Sequence, residues 1–250
     1  MMNCPVIKIN NLWFFYDNGP VLKEVNLEVY QNDFLAFIGP NGGGKTTLLK
    51  LMLGLLAPTK GTIKVFGKPP KKTKKKIGYV PQDCSINRTF PISVIDVVMT
   101  GRIGFNKAKN KDDIRAVHNT LEKLGVLGIR NHRIGDISGG QRQRIFIARA
   151  LVSEPKILFL DEPAANIDAK GQLDIYNLFK QLNKKITIVI TSHDLMVLSD
   201  NVKSIACINQ SLHFHDVGEI TDEILQKTYN CPVELLAHSV PHRVLRQHQD

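Results

Sequence analysis

The sequence predicts an α/β fold, a largely parallel sheet covered by helices on both faces, with antiparallel strands at its start and a helical lobe inserted midway. Three observations carry this. The apolar runs Phe34 to Ile38, Ile157 to Leu160, Ile186 to Ile190 and Ser204 to Ile208 have strand length and alternate with helical patterns, as in sheets buried on both faces. Near the start, β-forming residues flank a turn signal. From Pro91 to about Leu127 the apolar spacing becomes helical.

In order along the chain, Val6 to Tyr16 and Val25 to Tyr30 gather β-formers around Asn18-Gly19-Pro20 and predict antiparallel strands. Phe34 to Ile38 predicts a buried strand, and the leucines between Lys45 and Leu56 predict a helix. Thr62 to Phe66 and Ile77 to Val80 predict short strands on either side of a solvated loop, in which six of the nine residues Lys68 to Lys76 are lysines. Val94, Val97 and Val98, then Ile114, Val117, Leu121 and Leu124, recur at three- and four-residue intervals and predict the inserted lobe. Ser138 precedes a further helix carrying Ile145, Ile147, Ala148 and Leu151, so the lobe spans about 90–153. Residues 1–220 form the main domain and 221–250, with several histidines and prolines, a peripheral tail.

At 250 residues the chain can bury a real core, and 43% hydrophobic with 22% charged residues describes an ordinary globular protein. No apolar run reaches the roughly 18 to 20 residues that span a bilayer. Cys4, Cys84, Cys207 and Cys231 are scattered, without disulfide or zinc spacing, which fits a reducing cytosol. A net charge of +10 suits nucleic acid, anionic headgroups or a polyanionic ligand. The lysine stretch holds no aromatic residues for base stacking, which argues against a single-stranded nucleic-acid platform.

The chemistry begins at Gly39-Pro40-Asn41-Gly42-Gly43-Gly44-Lys45-Thr46, a G-x-x-x-x-G-K-[ST] loop between the predicted strand and helix. Glycines let successive N–H groups converge on phosphate oxygens at the positive end of the helix. Lys45 adds a cation for the outer phosphates, and Thr46 a hydroxyl for the accompanying magnesium ion. The sequence therefore predicts nucleoside triphosphate binding. Asp161 and Glu162 follow a buried strand at its carboxyl end, where open α/β sheets bind ligands. Asp161 is expected to hold magnesium through water, and Glu162 to deprotonate the attacking water. His193 and Gln82 follow other strands, the first expected at the outer phosphate, the second touching magnesium and water. Ser138-Gly139-Gly140-Gln141 opens a helix and makes a second anion-binding terminus. One chain cradles its phosphates once, so this terminus is expected to cap the nucleotide of a second copy in a head-to-tail dimer.

Taken together, Gly39 to Thr47, Tyr79-Val80-Pro81-Gln82, Ile137 to Gln141, Leu160-Asp161-Glu162-Pro163 and Thr191-Ser192-His193-Asp194 resemble the ATP-binding subunits of ABC transporters, in the family's order. The resemblance covers about Val6 to Glu219 and implies a P-loop NTPase (RecA-like) core with an antiparallel β subdomain and an inserted α-helical subdomain. It implies ATP hydrolysis, with ATP and Mg2+ as ligands, Tyr16 stacked on adenine, Gly39 to Thr47 around the phosphates and Asp168 in the loop that crosses the dimer. Two departures stand out. Ile137 replaces leucine, and Ala164-Ala165-Asn166-Ile167-Asp168 lacks the hydroxyls of the usual Thr-Ser-Ala-Leu-Asp.

Gly42 to Leu48, Phe90 to Val94 leading to Met99-Thr100-Gly101-Arg102, and Pro241 to Leu245 resemble the subgroup that imports zinc, manganese or iron. The resemblance implies integral-membrane permease partners, an extracytoplasmic substrate-binding protein acting through them, and a peripheral place on the cytoplasmic face of the membrane. An iron chelate or cobalamin is the alternative cargo. A soluble ABC ATPase working on ribosomes or nucleic acid is the alternative class; such proteins carry paired units or long coiled coils, and no sustained heptads occur here. His213, His215, His238, His242 and His248 are irregularly spaced and read as surface residues rather than a zinc sensor.

Overall fold

The computed structural model describes residues 4–17, 19–82, 90–103, 111–165, 167–192 and 202–216. Strands β1 (Ile7–Tyr16), β2 (Gly19–Val29) and β4 (Lys60–Val65) make an antiparallel sheet in the order β2-β1-β4. Along β1 the residues Ile7, Ile9, Leu12 and Phe14 are buried, and the pattern slips at the exposed pair Asn10 and Asn11. Asn11 has φ 44° and its N–H bonds Asn26 Oδ1 at 2.8 Å, the mark of a bulge that resets which face is apolar.

Strands β3 (Phe34–Ile38), β5 (Ile77–Val80), β6 (Ile157–Asp161), β7 (Thr187–Thr191), β8 (Ser204–Asn209) and β9 (Ser211–Asp216) form the second sheet, in the order β5-β6-β7-β3-β8-β9. The first five are mutually parallel and β9 is antiparallel to β8. Every residue of β3, β6 and β7 is buried, as continuous apolar runs require. Alternate side chains leave the sheet on opposite faces. Phe34, Ala36, Ile38, Leu158, Leu160, Ile188 and Ile190 join one apolar cluster with α2 (Val94–Met99), α3 (Lys111–Lys123), α4 (Gly139–Leu151) and α5 (Ala169–Asn183). Leu35, Phe37, Ile157, Phe159 and Val189 join the other, with α1 (Lys45–Met52) and the antiparallel sheet. The helices at 94–151 thus share a core with the sheet they pack on.

The elements follow the sequence with shifted ends. Helix α1 stops at Met52, ahead of the Leu56 expected, because the chain turns at Gly54 with φ 71°. Strand β2 starts at Gly19, ahead of Val25, and β9 was not anticipated, although Leu212 and Phe214 alternate with His213 and His215. The lysine stretch is more built than a loop: two 3-10 turns, Pro70–Lys72 and Lys74–Lys76, bury Pro70 and Thr73. Lys76 Nζ lies 4.9 Å from the Phe66 ring centre.

The parallel strands place the chain's chemistry. Strands β3, β5, β6 and β7 share one direction, so Gly39, Gln82, Glu162 and Ser192 leave the sheet at the same edge.

Candidate functional site

The glycine loop runs from the end of β3 into α1. Gly44 has φ 105°, and a Cβ there would fall 2.7 Å from Leu22 Cδ2, so the turn tolerates only glycine. At Gly39, φ 146°, a Cβ would fall 2.0 Å from the Ile208 carbonyl oxygen. The loop is thereby wedged between β2 and β8, with Asn41 and Gly42 exposed. Lys45 is 6% exposed and its Nζ donates to the Gly39 and Pro40 carbonyl oxygens at 2.8 and 2.9 Å. Burial holds its pKa below the usual lysine value, opposed by the carboxylates of Glu162 and Asp161. Thr46 and Thr47 are half-buried in the first turn of α1.

Thr46 brings the two halves of the site together: its hydroxyl donates to Asp161 Oδ1 at 3.2 Å. Asp161 is 2% exposed and also accepts from the Thr191 hydroxyl at 2.7 Å. The same hydroxyl accepts from the Glu162 N–H at 2.9 Å, while the Thr191 carbonyl accepts from it at 3.2 Å. Thr191 thus registers both acids, a role sequence reasoning missed, because it depends on β7 lying beside β6 in the sheet. Glu162 is half-buried with φ 47°, and its Oε2 accepts from Gln82 Nε2 at 2.7 Å. His193 lies outside the described residues.

Tyr16 ends β1 opposite Gly19, is 48% exposed and meets Phe14 edge-on at 4.9 Å. Val21, two residues beyond Gly19, has its carbonyl oxygen 3.1 Å from where a Cβ of Gly44 would lie, so the hairpin end abuts the glycine loop.

Ser138 caps α4 as expected, its hydroxyl accepting from the Gln141 N–H at 3.2 Å. Gln141 returns the contact, its side-chain oxygen accepting from the Ser138 N–H at 3.0 Å. This reciprocal box was missed, although Ser-x-x-Gln is its sequence signature. Gly140 has open space where a side chain would start. Asp168 caps α5, accepting from the Gly171 N–H at 3.1 Å. No cluster of potential metal ligands occurs among the described residues, and none of their helices is long and apolar enough to cross a membrane.

The family model described as "ABC transporter" matches residues 22–165. A manganese transport system ATP-binding protein, MntB of Halalkalibacterium halodurans, is 39% identical over 231 residues, covering 90% of this chain and 92% of the relative. The zinc uptake system ATP-binding protein ZurA of Listeria innocua is 37% identical over 217 residues, 84% of each chain. Among solved structures, CbiO1 of Clostridium perfringens, part of the ABC transporter complex CbiONQ, superposes with a TM-score of 0.78 at 30% identity, covering 93% of this chain and 95% of that one. With the family model over more than half its length and these relatives over most of it, the chain belongs to the ABC transporter family as an ATP-binding subunit.

Proposed function

We propose that this chain is the ATP-hydrolysing subunit of an importer for a divalent transition metal, namely zinc, manganese or iron. The observation that carries the ATPase reading is the convergence of Lys45, Thr46, Asp161, Glu162 and Gln82 where the parallel strands end: Thr46 bonds Asp161, Gln82 bonds Glu162, and both acids act electrostatically on Lys45. The cargo reading is supported by the manganese and zinc transport relatives.

Backbone N–H groups of Gly42 to Thr47 cradle the phosphates, and Lys45 exchanges the Gly39 and Pro40 carbonyls for phosphate oxygens. Tyr16 stacks on the adenine. Thr46 and Asp161 present hard oxygen donors on adjacent elements, a set that fits Mg2+, which would neutralise phosphate charge. Gln82 steers the Glu162 carboxylate, which takes the proton from the attacking water. His193 supports the outer phosphate.

Ser138 to Gln141 of a second copy cap the triphosphate, and the open backbone at Gly140 supports that approach. Asp168 stands in the loop crossing between copies. Nucleotide-driven closure works on a permease helix seated near Gln82 and Phe90, which is 57% exposed. Through the permease the motor serves an extracytoplasmic binding protein, from a peripheral position on the cytoplasmic face of the membrane; nucleic acid has no part.

Purification from detergent-solubilised membranes tests this reading. A polytopic membrane protein accompanies the chain, and cells lacking the chain accumulate less zinc, manganese or iron. Recovery of RNA or DNA in place of a membrane partner, with metal uptake intact, overturns it.

A further inference from the structure

We infer that Gln172 is a positioning residue for ATP hydrolysis: from helix α5 it holds the chain leaving Glu162, and so keeps that carboxylate aimed. The inference rests on the reading of Glu162 as the general base.

Glu162 occupies the left-handed region, φ 47°, where an L-residue stays only if its surroundings hold it. On its amino side the hold is firm, through the two bonds from its N–H to Thr191. On its carboxyl side the local bonds are long, Ala165 N–H to the Glu162 carbonyl and Ile167 N–H to the Ala164 carbonyl, both 3.3 Å. Pro163, Ala164 and Ala165 carry no polar side chain that could fasten this stretch. Among the described residues one side-chain hydrogen bond reaches 163–165: Gln172 Nε2 donates to the Ala164 carbonyl at 3.1 Å.

Gln172 is itself fixed. It lies in the first turn of α5, its N–H bonded to the Asp168 carbonyl at 2.9 Å, in a helix capped by the Asp168 side chain. One turn on, on the same face, Tyr176 is 2% exposed and its hydroxyl lies 3.5 Å from Ser192 Oγ, just beyond β7. One face of α5 therefore meets the chain leaving both β6 and β7. A cavity of about 230 Å³ adjoins these residues, lined by Glu162, Ala164, Ala165, Gln172, Tyr176 and Ser192 among others. Packing does not fill the space beside the loop, so the loop has room to relax once the hydrogen bond is gone.

The test is single-turnover hydrolysis by the 250-residue chain at saturating Mg-ATP, with nucleotide affinity and thermal midpoint measured alongside. Gln172→Met, which keeps the length of the side chain and removes the donor, lowers the hydrolysis rate about tenfold at unchanged affinity and midpoint. Gln172→Lys, which returns a donor, recovers most of the rate. In a Glu162→Gln background Gln172→Met causes no further loss, because both act through one carboxylate. Parental hydrolysis by Gln172→Met, failure of Gln172→Lys to recover it, or a further tenfold loss in the Glu162→Gln background overturns the inference while leaving the base assignment intact. Parental hydrolysis by Glu162→Gln alone removes the base assignment itself, whatever Gln172 does.

Discussion

Gln82 Nε2 and Glu162 Oε2 lie 2.7 Å apart, joining the ends of neighbouring strands β5 and β6 across 80 residues of sequence. The amide donates without bringing charge, so it fixes the direction of the carboxylate and leaves it a base. Glu162→Gln keeps the shape and removes the basicity. It is expected to bind ATP as before and to hydrolyse it about 10²–10⁴-fold more slowly. Quenched-flow ADP formation beside equilibrium nucleotide binding separates the two, and a parental rate refutes the assignment.

Lys45 predicts a conflict between stability and function. Its ammonium is buried, and burial lowers its pKa more than Glu162 and Asp161 raise it. The unfolded chain therefore holds the proton more tightly, and stability attached to this group rises as pH climbs from the depressed folded value toward the usual 10.5. Lys45→Met removes a charge that the fold holds at a cost, while deleting the cation proposed for the phosphates. We expect a urea midpoint at pH 7 no lower than the parent's, together with ATP binding weakened by about 100-fold or more. Repeating the melts near pH 9.5 should narrow any advantage of the variant; a widening gap contradicts the sign.

Thr191→Val tests the hydroxyl shared by the two acids. Without it, Asp161 keeps its Thr46 contact but loses the 2.7 Å donor in a site only 2% exposed, and the Glu162 N–H loses one acceptor. Leaving such groups short of partners costs about 1–3 kcal/mol. Chemical denaturation should show that loss, with hydrolysis impaired more than nucleotide affinity because Glu162 is the residue set loose. Unchanged stability argues that Thr46 and solvent suffice for Asp161.

The central sheet was legible in the sequence because it is buried on both faces: Phe34–Ile38 and Ile157–Asp161 can hardly read as anything else. The glycine loop was legible because its backbone conformations exclude most residues, and the acids because they stand where a buried strand ends. Side-chain cross-links between distant segments were not. Nothing in the local sequence says that Thr191 will lie beside Asp161, since that depends on strand order, which the chain sets only through tertiary packing. Strand β9 escaped for a related reason. As an edge strand it leaves Ser211 to His215 exposed or only half-buried, and Ser-Leu-His-Phe-His-Asp reads as polar without its neighbour β8.

Ser138 carries two roles that a single substitution can pull apart. Its hydroxyl and the Gln141 amide close a capping box on α4, and the same N-terminus is proposed to meet the triphosphate of a second copy. Ser138→Ala loses both: about 1 kcal/mol of helix capping and the hydroxyl contact. Ser138→Asp keeps a strong cap, and an acid at this end suits the helix dipole, so the folded chain should be as stable as the parent. In the proposed dimer, however, the added negative charge would face the phosphates. We therefore expect Ser138→Asp to melt at the parental temperature and bind ATP normally as a monomer, yet to form no ATP-dependent dimer when Glu162→Gln arrests hydrolysis. Size-exclusion chromatography with light scattering reads this directly. A Ser138→Asp, Glu162→Gln protein that dimerises on Mg-ATP as readily as Glu162→Gln alone places the phosphates elsewhere than at the tip of α4.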